Sequence, residues 1–262
     1  MYWLLIFPIF FIVWYFYERK AKPFPKRIFQ TWKNKTPPKK MAYWTETWRL
    51  HNPDYEYILW EDAENRSFVA EKFSWFLPTY DGYDVEIKRA DAIRYMFLYT
   101  YGGIYADLDF ECLKPFDTLL EEYRGYDIIL GQMESSGTIS NSGESQWHSS
   151  NNIPNAIMIS KPACHFWLKV LERMVVKAAS ASGGKGRPEV ESGPIVLKEV
   201  YSSWFGLERI KLLPPPVLYP ISWVTDEEER LAALKADEHT LTQTMKAKYP
   251  SAYAVTYWAH SW

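Results

Sequence analysis

The residues best able to carry chemistry lie between Glu86 and Cys112, which read EIKRADAIRYMFLYTYGGIYADLDFEC. Within this stretch Ile104-Tyr105-Ala106-Asp107-Leu108-Asp109-Phe110 alternates between apolar and mixed positions. That alternation predicts a strand over 104–109, with Ile104, Ala106, Leu108 and Phe110 on one face and Tyr105, Asp107 and Asp109 on the other. Two carboxylates on neighbouring same-face positions repel unless they face water or a cation sits between them. Oxygen ligands at this spacing suit a hard divalent ion, Mg²⁺ or Mn²⁺, and two protein ligands leave coordination positions open for a diphosphate. The motif alone is weak, since a chain this long carries about one Asp-x-Asp by chance. Its surroundings strengthen it. A helix predicted over 85–101 puts Asp91 and Arg94 three residues apart on one side. Left in water they would be an ion pair worth about 0.2–1 kcal/mol. Ala90, Ile93 and Phe97 form an apolar stripe beside them, and Gly102-Gly103 stops the helix and returns the chain toward the two aspartates. An arginine next to paired carboxylates meets the needs of a nucleoside diphosphate: a cation for phosphate oxygens, carboxylates for metal and ribose.

Other elements must hold these groups in place. Strands are predicted at 27–32, 55–60, 127–131, 155–160, 209–213 and 252–258, besides 104–109. Helices are predicted at 38–50, 61–73, 163–178, 194–204 and 225–238, besides 85–101. Ala179–Arg187 reads as a loop and 214–216 as a Pro-rich turn. This alternation points to an α/β fold on a mostly parallel sheet.

The 262 residues are 47% hydrophobic and 24% charged, which excludes a disordered chain. With 30 basic against 32 acidic residues the net charge is −2, so nucleic acid is not an expected partner. Aromatic residues make up 18%, including 13 Trp and 19 Tyr, a composition suited to bilayer interfaces and to ring-lined sites for bases and sugars. Two cysteines, Cys112 and Cys164, form neither a disulfide framework nor a cysteine zinc site. Residues 2–17, YWLLIFPIFFIVWYFY, carry no charge. They read as a membrane anchor over 1–18, the alternative being an apolar arm packed on protein. A basic stem, 19–25, leads to a folded domain over 26–262. The stem and the first two residues of the domain hold Arg19, Lys20, Lys22, Lys26 and Arg27 against Glu18, which favours the cytoplasmic side. The acceptor triplets Asn34-Lys35-Thr36 and Asn65-Arg66-Ser67 favour a lumen instead.

Arg89–Asp117, RADAIRYMFLYTYGGIYADLDFECLKPFD, resembles the signature of the family 32 glycosyltransferases, a group with fungal α-1,6-mannosyltransferases and inositol-phosphorylceramide mannosyltransferases among its members. The similarity extends to KRIFQTW (Lys26–Trp32), NPDYEYILWED (Asn52–Asp62) and Trp75-Phe76-Leu77. Fainter matches lie at NAIMISKP (Asn155–Pro162), Ser192-Gly193-Pro194 and His260-Ser261-Trp262. The resemblance implies a GT-A fold and retaining transfer of a hexose to a glycan or sphingolipid-type hydroxyl. The implied donor is GDP-mannose, with a UDP-sugar as the alternative, held through Mn²⁺ or Mg²⁺. By motif position Asp107 and Asp109 handle ribose, sugar and metal, Asp109 the more direct ligand, while Asp91 and Arg94 hold sugar and diphosphate. Tyr105 lines the pocket, and Trp32 stacks on the base or packs in the core. His260 adds a metal ligand, and Ser261 and Trp262 close over the diphosphate. Asn155 and Glu191 are candidates for the acceptor side. The compartment implied is the Golgi lumen for a type II eukaryotic protein, or the cytoplasmic face if the basic flank decides. Two rivals stand beside this reading: an aspartyl-phosphate phosphatase with the first Asp as nucleophile, and a sugar-nucleotide or metal binder without turnover.

Overall fold

The computed structural model describes residues 22–134, 152–180, 185–223 and 226–259. The anchor expected over 1–18 lies outside these residues, and among those described no helix is long and apolar enough to cross a membrane.

Six strands form the central sheet: β1 Arg27–Thr31, β2 Glu56–Trp60, β3 Gly103–Ala106, β5 Ile128–Gly131, β6 Ile157–Ser160 and β7 Ile210–Leu213. Their order is β2-β1-β3-β6-β5-β7. Pairings β2–β1, β1–β3 and β5–β7 are parallel, and β6 runs antiparallel to both neighbours. Successive side chains in a strand point to opposite faces. Phe29, Tyr105 and Met158 thus enter one core, while Ile28, Ile104, Ile157 and Ile159 enter another.

The first core is covered by helices α2 Asp62–Lys72, α3 Leu77–Gly82, α4 Glu86–Thr100, α6 His165–Ser180 and α8 Pro194–Ser202. The second is covered by α1 Lys39–His51, α5 Asp117–Glu122 and α9 Pro215–Leu218, together with an antiparallel ribbon of β4 Phe110–Cys112 and β8 Ala254–Thr256. Short helix α7 Pro188–Glu191 precedes α8, and α10 Glu227–Lys235 and α11 Glu238–Lys248 lie between α9 and β8. A sheet buried on both faces explains why its strands read as near-continuous apolar runs.

Three expectations change. The strand foreseen over 104–109 stops at Ala106. Asp107-Leu108-Asp109 is a turn in which the Phe110 N–H donates to the Asp107 carbonyl at 3.1 Å. The helix foreseen over 225–238 ends at Lys235, and a second helix starts at Glu238. Finally, Asn65 is buried on α2 and donates to Thr31 Oγ1 at 2.7 Å, so its acceptor triplet is closed to a glycan.

Candidate active site

The site grows out of the α4–β3 hairpin. Gly102 and Gly103 have φ of +64° and +101°, the left-handed region that an L side chain rarely adopts. A Cβ on Gly103 would lie 2.6 Å from the Arg27 carbonyl oxygen. The turn lets α4 run back over the sheet. Arg94 is then about 9 Å from the end of its helix at 1.5 Å per residue, and Asp107 about 13 Å along its strand at 3.3 Å per residue. Both arrive at the carboxyl edge of the sheet, the usual place for ligands in open α/β folds.

There Arg94, itself buried, is the hub. Its Nη2 stands 3.2 Å from Asp91 Oδ1, and its Nη1 stands 3.3 Å from Asp107 Oδ1 and donates to the Asn155 carbonyl at 2.9 Å. The guanidinium lies 4.9 Å from the Tyr105 ring centre, a cation–π contact. Burial works against its charge, but Asp107, Tyr105 and Asp91 more than restore it. Asp91 accepts from Asn155 Nδ2 at 2.8 Å and from Ser192 Oγ at 2.7 Å. Asp107 accepts from the Tyr105 hydroxyl at 2.7 Å. Burial raises the pKa of both carboxyls, while Arg94 and these donors pull it back.

Asp109 relies on weaker support. Its Oδ2 accepts the Ala259 N–H at 2.9 Å, yet burial and the neighbouring Asp107 charge push its pKa up to about 7. Two oxygen-bearing carboxyl groups, one of them short of positive charge, fit a hard divalent cation. A cleft of about 590 Å³ opens over them, lined by Trp32, Lys33, Arg94, Tyr105, Asp107 and Asp109. Pro188 of α7 and Val85 before α4 line its far wall.

Asp91, Arg94, Tyr105, Asp107 and Asp109 are therefore brought together, but by a turn and a helix rather than by one strand face. Trp32 also lines the cleft, with Lys33 Nζ 5.2 Å from its ring. His260, Ser261 and Trp262 lie outside the described residues, as does His148. Asn155 and Glu191, considered for the acceptor side, stand behind the carboxylates instead. Asn155 holds Asp91 and donates to the Tyr95 hydroxyl at 2.9 Å. Glu191 is buried against Lys88 at 2.6 Å. Glu111 turns inward to accept from Thr242 and Tyr257. His165 lies at the opposite end of the sheet beside Glu208, and both cysteines are buried thiols. Gln30 lies in the KRIFQTW similarity, which gives it no role: its Nε2 donates to the Asp107 carbonyl at 3.0 Å and fixes the turn. A nucleophilic role for Asp107 is a poor match, because Tyr105 and Arg94 already occupy its oxygens.

Residues 38–126 match the family described as "Glycosyltransferase sugar-binding region containing DXD motif". Inositol phosphoceramide mannosyltransferase 3 of Schizosaccharomyces pombe is 48% identical over 105 residues, 40% of this chain and 29% of that protein. Mannosyl phosphorylinositol ceramide synthase CSH1 of Saccharomyces cerevisiae is 35% identical over 159 residues, 61% of this chain and 37% of that protein. Initiation-specific alpha-1,6-mannosyltransferase of Candida albicans is 33% identical over 127 residues, 46% of this chain and 32% of that protein. The chain thus spans about a third of the length of the curated relatives it matches. Among solved structures, "PaToxG Glycosyltransferase" superposes with a TM-score of 0.52 at 16% identity, covering 94% of this chain and 96% of that one, a likeness of fold.

Proposed function

We propose that this chain, whose residues 38–126 match a glycosyltransferase sugar-binding region with a DXD motif, is a metal-dependent retaining hexosyltransferase of GT-A fold. In this reading it moves mannose from GDP-mannose to a glycan or glycolipid hydroxyl, tethered to a Golgi membrane by residues 1–18. The observation that carries the reading is Arg94, buried and held between Asp91 and Asp107 at the floor of a cleft that Trp32 and Asp109 also line.

Each group then has a task. Arg94 stabilises the negative charge that grows on the departing diphosphate, at a site too dry for water to do so. Asp91, fixed by Asn155 and Ser192, holds Arg94 in place for the donor, and Asp107 orients sugar and ribose. Trp32 offers a ring to the base. Asp109 and Asp107 would hold Mn²⁺ or Mg²⁺, with His260 as a further ligand. The cation, when bound, acts as a Lewis acid on phosphate oxygens. The acceptor hydroxyl attacks from the face the diphosphate leaves and gives its proton to the departing phosphate, which preserves the anomeric configuration.

The test is nucleotide release by the purified full chain with Mn²⁺ and a panel of GDP- and UDP-sugars. GDP should appear from GDP-mannose and be lost on chelation and in Asp109→Asn. UDP release would move the donor to the UDP-sugar class. If no donor is bound or split with metal present, the reading is wrong.

A further inference from the structure

The sheet gives the molecule two unlike ends. The carboxyl ends of β1, β2 and β3 face the cleft. The opposite edge is made by the amino ends of the parallel strands and by Lys161–Pro162 after β6. The chain enters the fold at that opposite edge. Phe24 is buried there, with Lys161 Nζ 5.4 Å from its ring. The residues leading into this point are the uncharged run 2–17 and the stem with Arg19, Lys20 and Lys22.

Among the described residues, the three most exposed large apolar side chains, Phe205, Leu50 and Leu207, lie on the same edge together with Trp75, while Val176, Leu231, Trp223 and Val85 stand open elsewhere. Phe205 is 95% exposed, Leu50 72%, Leu207 59% and Trp75 50%. Each owes its place to a helix that starts near the cleft and ends away from it. Leu50 is on the last turn of α1, on one side of the sheet. Trp75 comes after α2, and Phe205 and Leu207 after α8, on the other side. Trp204 is seated, its ring 5.3 Å from Phe166 and its Nε1 donating to the Glu208 carbonyl at 3.3 Å. Phe205 is therefore held outward from a fixed base. Between these points Arg209 and Lys211 lie over Tyr126 and Tyr123 at 4.8 and 5.0 Å. Such pairings of long cations with phenol rings suit a headgroup layer. Single exposed apolar residues are ordinary on any surface. Three separate connections offering them along one edge, under a sheet about 24 Å wide, are not.

We infer that this edge lies on a lipid bilayer, with Leu50, Trp75, Phe205 and Leu207 seated among the headgroups and the cleft opening away from them. The bilayer is the occupant because the uncharged run enters the fold at this edge. The inference rests on the reading of residues 1–18 as a membrane anchor, and is independent of the donor and of turnover.

The full chain in phosphatidylcholine–phosphatidylserine liposomes tests it. Phe205→Cys and Leu50→Cys would be labelled separately with an NBD fluorophore, and the native Cys112 and Cys164 are buried. Val176→Cys is the reference, 53% exposed on α6 and about 17 Å up that helix from the edge. Labels at 205 and 50 should shift to the blue and lose emission to nitroxide-bearing lipids, while the label at 176 responds only to aqueous iodide. Labels at 205 and 50 that behave like 176 would overturn the inference. A blue shift without lipid quenching would also overturn it, placing protein there: a second copy, or residues 2–17 themselves.

Discussion

Arg94 shows how much one side chain can be asked to do when it is buried among its partners. Its fork reaches Asp91, Asp107 and a main-chain carbonyl at once, a reach that a lysine ammonium cannot reproduce. Arg94→Lys keeps the charge and loses the geometry. We expect kcat to fall about 10²–10³-fold, as when one preorganised donor to a growing anion is removed; steady-state kinetics with the preferred donor would show it. A loss under threefold would mean that Arg94 only braces the fold. Asp91 and Arg94 are legible in the sequence because a helix makes residues three apart neighbours. Their remaining partners are not. Asn155 and Ser192 come 64 and 101 residues after Asp91, and only tertiary folding brings them in.

At the scale of elements, the alternation in Ile104–Phe110 is a true strand signal for Ile104, Tyr105 and Ala106, and a misleading one beyond them. Leu108 and Phe110 are buried as alternation requires, but in different cores, so burial continues where the strand does not. Gln30 and Ala156 hold the Asp107 main chain in its turn, and neither contact has a local signal. The Gly102-Gly103 stop is legible, and its second glycine is the stricter. Gly103→Ala would force a Cβ against the Arg27 carbonyl at positive φ, and should cost about 1–3 kcal/mol or more in chemical denaturation. A second hinge of the site is the pair Lys88–Glu191, fully buried and joined at 2.6 Å. It ties α7 to α4 and so sets Ser192 on Asp91. Lys88→Met leaves the Glu191 carboxylate buried with only the Gly186 N–H to compensate it, and should cost about 3–5 kcal/mol. Adding Glu191→Met should restore much of that stability, and calorimetry of the two variants would decide it. The short helices α3, α5 and α7 leave no readable trace because four to six residues carry too little periodicity.

For the whole molecule, the α/β class and the order of its main elements are readable from alternating periodicity, whereas the β4–β8 ribbon is not, since it joins segments far apart in the chain. Ligand and fold are coupled at this scale. Mn²⁺ with GDP at about a hundredfold over its Kd should add about 2.7 kcal/mol, or roughly 5–11 °C in Tm for a domain of this size. Chelation should remove the shift, and Asp109→Asn should abolish it. No shift with GDP or with UDP would separate the cleft from nucleotide binding. One contact reaches further. Asp109 is completed by the N–H of Ala259, 150 residues downstream, and by β8 beside it. A ribosome making this chain exposes Arg94 and both aspartates early, but the Asp109 carboxylate has no finished cradle until residues 254–259 have emerged from the exit tunnel. A nascent chain should therefore be silent toward donor, and activity should begin only when synthesis has passed that point.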